Sequence, residues 1–410
     1  MNRFHLLSIF LTLAGGTTGL FAEDNWPRFR GEEGRGHSTA TGMPEKWDAS
    51  GVVWKATLKG EGESSVINWG DRLFVTSATD QGKTRWVHCL DRATGKILWE
   101  KSVPCAAPEA THKMNSWATP TCATDGQHVY AFFGPGGLHC FDLDGNLKWS
   151  KDLGAFPGDW GVGASPILVG DVVIQNCDAE GPSTLIALNK ATGETVWNTK
   201  RTDSPKGGWS TPIVIDVEGH QELVLNGEFG VNAYDPKTGK DLWFCEAFTG
   251  RGSPVPDYAH GLLYVVNGKP GNTYVVKPGG SGDVTKTHRL WDARRQGGRD
   301  LPSPAVVGDY LLISSMSGIL TTYDAKTGEA FFTERLDAPI SAAPVVAEGL
   351  VYFQMENGEV IVVKPGKTLE IVSRNSLGSS DDEIFRASLA PIQGQWFARS
   401  QNTVYCIGKK

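Results

Sequence analysis

Beyond its N-terminus, this 410-residue chain has no run of eighteen apolar residues, so no later segment reads as a transmembrane helix. It has no domain-wide basic field either. The formal charge is −7, which argues against nucleic acid as the main partner. No long segment shows helical periodicity, which removes helical bundles and coiled coils from consideration. The nine histidines form no His-x-x-x-His or His/Cys grouping of zinc type. A Gly-x-Ser-x-Gly elbow, a phosphate-binding glycine loop and a Cys-x-x-Cys pair are also missing, which removes the usual signals of a serine hydrolase, a nucleotide-binding loop and a dithiol redox site.

Glycine, proline and tryptophan are plentiful, at 50, 22 and 14 residues. Much of that content falls in one recurring unit. Leu90-Asp91-Arg92-Ala93-Thr94-Gly95-Lys96-Ile97-Leu98-Trp99 has close relatives ending at Trp149, Trp197, Trp243 and Phe332, with degenerate ones ending at Trp291 and Val372. Trp54 closes an unpaired copy. The intervals between these ends run from 40 to 50 residues. A period of this length, holding several short apolar runs and a glycine turn, is that of a propeller blade of four strands. Asp accepts backbone hydrogen bonds in the turn, Gly supplies its positive φ, and Trp on the returning strand is a wedge between neighbouring blades.

Each repeat opens with small residues and often proline, as in Ser165-Pro166, Thr211-Pro212 and Ser303-Pro304, which suits a crowded innermost strand whose first amide needs no partner. The last repeat has three strands, ending with Thr403 to Ile407, and no fourth. The lone strand near Trp54 supplies it. The expected fold is therefore all-β: an eight-bladed β-propeller of four-stranded antiparallel blades, closed by pairing of N-terminal and C-terminal strands in the last blade. Seven blades is the alternative should one weak repeat prove irregular.

At the N-terminus, Arg3, the apolar run Leu6 to Ala14, the small residues Gly15 to Gly19 and then Leu20-Phe21-Ala22 predict a signal peptide over residues 1–22, with Gly19 as the other cut. Residues 23–45 form a polar lead segment, expected to lie on the propeller, and residues 46–410 the propeller domain. The mature chain is expected to be exported, periplasmic or extracellular, with no transmembrane segment. Seven cysteines leave at least one thiol unpaired. Cys89, Cys140 and Cys406 occupy one repeat position and read as small core residues; Cys105 with Cys122 is the pair to test for a disulfide.

The Asp-x-x-Thr-Gly-Lys-x-x-Trp unit resembles the tryptophan-docking repeat of the pyrroloquinoline quinone (PQQ) repeat superfamily over roughly residues 46–410. Trp26-Pro27-Arg28-Phe29-Arg30-Gly31 resembles the start of exported PQQ-like repeat proteins. The superfamily includes quinoprotein alcohol dehydrogenases and non-enzymatic propellers similar to the outer-membrane assembly lipoprotein BamB. The short connections, the missing vicinal cysteine pair and the absence of an assignable calcium set depart from the dehydrogenases. The lack of a lipidated Cys after the signal departs from the lipoprotein.

The resemblance thus implies a binding or scaffolding module for an envelope protein or peptide, without catalysis. The alternative is a compact PQQ-dependent dehydrogenase with PQQ and calcium. Just upstream of the inner strands stand Trp117, Trp160, Trp209, Arg251, Arg299 and Arg386, with Glu61, Glu63 and His112 nearby. Indoles and guanidiniums round one pore mouth suit a flat anionic or aromatic ligand such as a quinone, or a peptide or glycan. The competing reading has the indoles plug the channel and the arginines pair with Asp300, Asp382 or Glu383. Asp142-Leu143-Asp144-Gly145-Asn146 begins like a calcium loop but aligns with the plain turn of the other repeats.

Overall fold

The computed structural model describes residues 25–201, 207–246, 252–267, 271–293 and 302–409, and within them each repeat folds as one sheet. Blade 1 consists of Ile67–Trp69, Arg72–Thr79, Thr84–Asp91 and Ile97–Pro104, antiparallel and in chain order from the axis outward. Six further sheets repeat that order, one of them with a short fifth strand, and the eighth takes its outermost strand from the N-terminal side of the chain. Middle strands are almost wholly buried because each blade is sandwiched between two others, whereas the outermost strands alternate exposed and half-buried residues. In the eighth blade, Val52–Thr57 pairs antiparallel with Thr403–Ile407, placing Trp54 opposite Cys406 and Thr57 opposite Thr403. The two ends of the chain thus complete one sheet. The expected signal peptide lies outside the described residues.

The repeat unit holds blades together as its chemistry suggests. In blade 1, the Asp91 carboxylate accepts from the Thr94 amide at 2.9 Å, and Gly95 at φ +70° closes the turn. Trp54 of blade 8 lies on that glycine. A Cβ at Gly95 would stand 2.4 Å from the Trp54 ring, and the indole N–H donates to the Arg92 carbonyl at 3.0 Å. The same step recurs from Trp99 to the Leu143 carbonyl (2.9 Å), Trp149 to Lys190 (2.8 Å) and Trp197 to Pro236 (3.1 Å). Trp291 lies likewise against Gly328. In the Asp142 turn the carboxylate is taken by Asn146 and Lys148, as a turn requires.

Where the next blade lacks this turn, the wedge changes. Blade 5 joins its last two strands through a longer connection, with a short helix at Thr285–His288 and the two-residue strand Gly282–Asp283, which pairs parallel to Trp243 and Phe244. Trp243 accordingly turns its N–H to the Glu222 carboxylate at 2.8 Å. Blade 8 has chain ends instead of a turn. Its seam with blade 7, where Val372 stands in the Trp place, is filled by the lead segment: Trp396 donates to the Pro44 carbonyl at 2.9 Å and the Trp47 amide to Asn375 at 2.8 Å. Trp47 belongs to this filler, and a 3₁₀ turn at Ala49–Gly51 separates it from the strand at Val52–Thr57.

A second set of bonds runs round the axis. The residue two places before each inner strand donates its amide to the hydroxyl of the corresponding residue in the next blade. Ser65 donates to Thr121, Thr121 to Ser165 and Ser165 to Thr211, each at 2.9 Å; Val255 donates to Ser303 and Ala343 to Ser388 at 3.0 Å, and Ser388 returns to Ser65 at 3.1 Å. The two missing links are those whose acceptors are Val255 and Ala343, which carry no hydroxyl. This register corrects the alignment by Ser/Thr-Pro pairs, because Pro120 and Pro254 precede the ring residue where blades 3, 4, 6 and 7 have proline after it.

The lead segment crosses the far end of the channel. The Trp26 amide donates to the Asn68 side-chain carbonyl of blade 1 and its own carbonyl accepts from the Asn68 amide, Pro27 accepts from Thr124 of blade 2, and Gly36 and Ser38 pair with Val346 of blade 7. His37 meets the buried Asp257 of blade 5 at 3.0 Å, and Arg35 donates to the Tyr258 carbonyl. All seven cysteines are buried and unpaired, Cys105 and Cys122 included.

Replacing Trp149 with Ala should lower the unfolding free energy by about 2–4 kcal/mol. Leu147→Ala, on the same strand but 52% exposed, should change it by no more than about 0.5 kcal/mol. Urea titrations compare the two.

Candidate functional site

The lead segment closes one end of the axial channel, and the other end opens into a cup of about 210 Å³. Phe29 of the lead segment forms its floor, the axial Ser/Thr ring its lower wall, and the connections entering the inner strands its rim. Trp160 and Trp209 stand on that rim with His112, Met114 and Asn115, and Met316 and Ser341 come from blades 6 and 7.

Each rim group is held by its neighbours. Trp160 lies 4.5 Å from His112, ring centre to ring centre, and its carbonyl accepts from the Asn115 amide group at 2.7 Å. Trp209 donates its indole N–H to the Gly161 carbonyl at 2.8 Å. Gly207, at φ +98°, covers one face of that indole so closely that a Cβ would fall 2.2 Å from the ring. Asn115 therefore ties the blade 1–2 connection to the blade 2–3 connection, and Trp209 ties the latter to the next.

The opposite rim is charged. Arg386 sits between Glu63 at 2.9 Å and Glu356 at 3.3 Å, and also donates to the Lys113 carbonyl at 3.1 Å. Burial works to lower the Arg386 pKa, but the two carboxylates outweigh it and the value rises. Burial raises the Glu63 pKa, partly offset by Arg386. Behind Glu63, the fully buried Arg399 donates to the carbonyls of Ser64 (2.9 Å) and Thr76 (2.6 Å), and burial brings its pKa down to about 9.

Of the six residues singled out in the sequence, Trp160, Trp209 and Arg386 line the cup together. Trp117 stands apart. Its ring packs on Gly82 and its N–H donates to the Glu109 carbonyl at 2.9 Å, beside the buried Arg85–Glu109 pair. Arg251 and Arg299 lie outside the described residues, as does Asp300. The partners of Arg386 are Glu63 and Glu356, not Asp382 or Glu383; Glu383 instead accepts from the Tyr405 hydroxyl at 2.6 Å. Glu61 bridges to Ala78 through its backbone. Sequence reasoning missed Phe29, Met114, Asn115, Met316, Ser341 and Glu356. One usable signal was there: only five methionines occur, and two of them fall in connections on this face.

Among the described residues, no group of three or more His, Cys, Asp or Glu side chains is placed to hold a metal ion. Nor does the described lining fit a carboxylate-bearing quinone. Among the described residues, the guanidinium on the rim, that of Arg386, is already neutralised by two carboxylates, which would repel the ligand's own.

The family follows from the repeats. A family model described as outer membrane protein assembly factor BamB matches residues 83–253 and 281–370, more than half of the chain. The chain belongs to this family. BamB of Shewanella oneidensis is 24% identical over 342 residues, 77% of this chain and 78% of its own length. The crystal structure of BamB from Moraxella catarrhalis superposes with a TM-score of 0.62 at 17% identity, covering 88% of this chain and 97% of that one. Quinohemoprotein alcohol dehydrogenase from Comamonas testosteroni superposes at 0.68 with 12% identity, covering 94% and 81%. Those two likenesses are of fold alone, so within this PQQ-like, BamB-like family the ring does not choose between scaffold and enzyme.

Removing the central guanidinium leaves two carboxylates facing each other. Arg386→Ala should cost about 1–2 kcal/mol after solvent screening at the rim, with Arg386→Lys in between, read by denaturant titration. Nearby His88 is buried, and that burial, then Arg399, lowers its pKa from 6.5 to about 3. Its folded value lies below its unfolded one, so the unfolded chain takes the extra proton. Stability is full above about pH 6.5 and falls as pH drops towards about 3. Urea midpoints at pH 7.5 and pH 5 should differ less in His88→Gln than in the parent.

Proposed function

We propose that this chain is an exported propeller of the cell envelope, periplasmic in place, that works as a binding or scaffolding module for an envelope protein or peptide and has no catalysis of its own. The observation that carries this reading is the cup itself: a blind channel with an apolar and aromatic rim and a pre-formed Glu63–Arg386–Glu356 cluster. Rigid, well-packed indoles beside satisfied charges are the composition of a recognition surface. Both carboxylates are engaged by Arg386, so neither stands ready as a base or nucleophile.

Family membership and the relatives named as outer membrane protein assembly factors support an envelope setting. No helix among the described residues is long and apolar enough to cross a membrane.

The test is affinity capture from envelope extract with the tagged parent and a Trp160→Ala/Trp209→Ala variant, with mass spectrometry to identify what is retained. The expected result is a defined envelope protein held by the parent and lost from the variant; identical profiles would exclude the cup face. A parallel titration with PQQ and calcium should leave the absorbance spectrum additive. Dye-linked oxidation of an alcohol in that mixture would replace this reading with the dehydrogenase one.

A further inference from the structure

The connection between blades 1 and 2, residues 105–122, is held in two different ways along its length. Its neck is buried. Arg85, fully enclosed, donates to the Trp117 carbonyl and pairs with the Glu109 carboxylate at 2.6 Å, while the Trp117 indole N–H donates to the Glu109 carbonyl at 2.9 Å. Glu109 and Trp117 are thereby clamped together. The seven residues between them, Ala110 to Ser116, leave and return at one point as a tongue.

The tongue itself lacks such support. None of its residues joins a buried apolar cluster; Ala110 and Lys113 are exposed and the others half-buried. Segments of this kind, with few apolar contacts and exposed hydrogen bonds, open at the least cost. Near the neck, Asn115 ties it to the blade 2–3 connection, donating to the Trp160 carbonyl at 2.7 Å and the Val162 carbonyl at 3.2 Å. On the other side it crosses the cup's rim towards blade 8, with His112 and Met114 lining the opening. Among the described residues, one hydrogen bond holds it there, from Arg386 to the Lys113 carbonyl at 3.1 Å.

That bond is one Arg386 can release. The same guanidinium nitrogen also donates to Glu63 at 2.9 Å, and Nε donates to Glu356 at 3.3 Å, so letting go of the carbonyl leaves both ion pairs in place.

We propose that residues 110–116 are a lid on the cup, hinged at the clamped neck and latched by Arg386, an assignment that rests on the cup being the working face. The latch's acceptor is a peptide carbonyl, and a partner's peptide chain entering the cup brings the same group. It takes over the Arg386 N–H, so the lid opens by exchanging one hydrogen bond for its like. A net hydrogen bond of this class shifts an equilibrium by about two- to tenfold, which biases the lid towards closed without locking it.

All seven native cysteines are buried, so Met316→Cys, on the blade 6 wall of the cup, is a selective reporter of access. The whole protein with this change is labelled with N-ethylmaleimide and with a bulky fluorescein maleimide. The ratio of the two rates cancels the thiol's own reactivity and measures how open the mouth is. Arg386→Gln and Asn115→Ala should each raise the bulky-to-small ratio about two- to tenfold and speed amide exchange in residues 110–116 by a similar factor, with exchange in the neck unchanged. Should the glutamine variant unfold, Arg386→Lys keeps the charge between the two carboxylates and shortens the reach to Lys113. Ratio and exchange at the parent's values in both variants would make the tongue a fixed wall and overturn the lid. A response to Asn115→Ala but not to the Arg386 change would overturn the latch and the proposal with it. If both readouts respond while envelope capture ignores Trp160→Ala/Trp209→Ala, the lid stands and the cup as the working face falls. Capture that depends on those indoles while the tongue stays fixed sinks the lid alone.

Discussion

Each blade has to be fixed to the next, and this chain does it at two radii. Near the rim of the disc an indole lies on a glycine turn and donates to a carbonyl in the neighbouring sheet, as from Trp149 to Lys190. Near the axis an amide donates to a hydroxyl, as from Thr121 to Ser165. The outer contact buries aromatic surface and sets the wedge angle; the inner one satisfies backbone donors that the short inner strands leave over. Neither position is free to vary alone. A Cβ on the docking glycine would enter the indole, and an apolar ring residue leaves the preceding amide without its acceptor.

The outer contact was legible because its two halves lie in the same repeat, and reading them needs only the period. Closure by the strand at Trp54 was legible for a related reason: three strands at one end and one at the other leave two sheet edges that only each other can cover. The axial ring was not. Proline marks the inner strands, and in blades 2 and 5 it stands on the other side of the ring residue, so alignment by Pro120 and Pro254 slips by two. Pairs between distant loops were equally out of reach. Glu63, Glu356 and Arg386 come from three separate connections, and nothing in their local sequence points from one to another. Trp117 and Trp160 look alike along the chain, yet Gly82 draws one indole into packing while the other faces the cup.

The lead segment makes a channel into a cup. Its hydrogen bonds run to inner strands and turns on one side of the disc, and Phe29 reaches the axis from there. The open cup thereby lies on the opposite side, where the connections between blades carry the indoles, methionines and the paired charges. The proposed scaffold role would draw on this asymmetry: one side is finished by the chain itself, and the other stays open.

The eighth sheet draws its outermost strand from residues 52–57 and the other three from residues 390–407. Synthesis delivers these pieces at opposite ends of the process, so the earliest strand waits, unpaired, while seven sheets are made. Until the final residues arrive, the disc is an arc with two raw edges and an unsealed hub. Its cooperativity is therefore that of a clasp. Premature termination anywhere in the last repeat removes a small part of the mass but the whole of the closure, and the product is a sticky open chain of sheets, not a slightly smaller wheel.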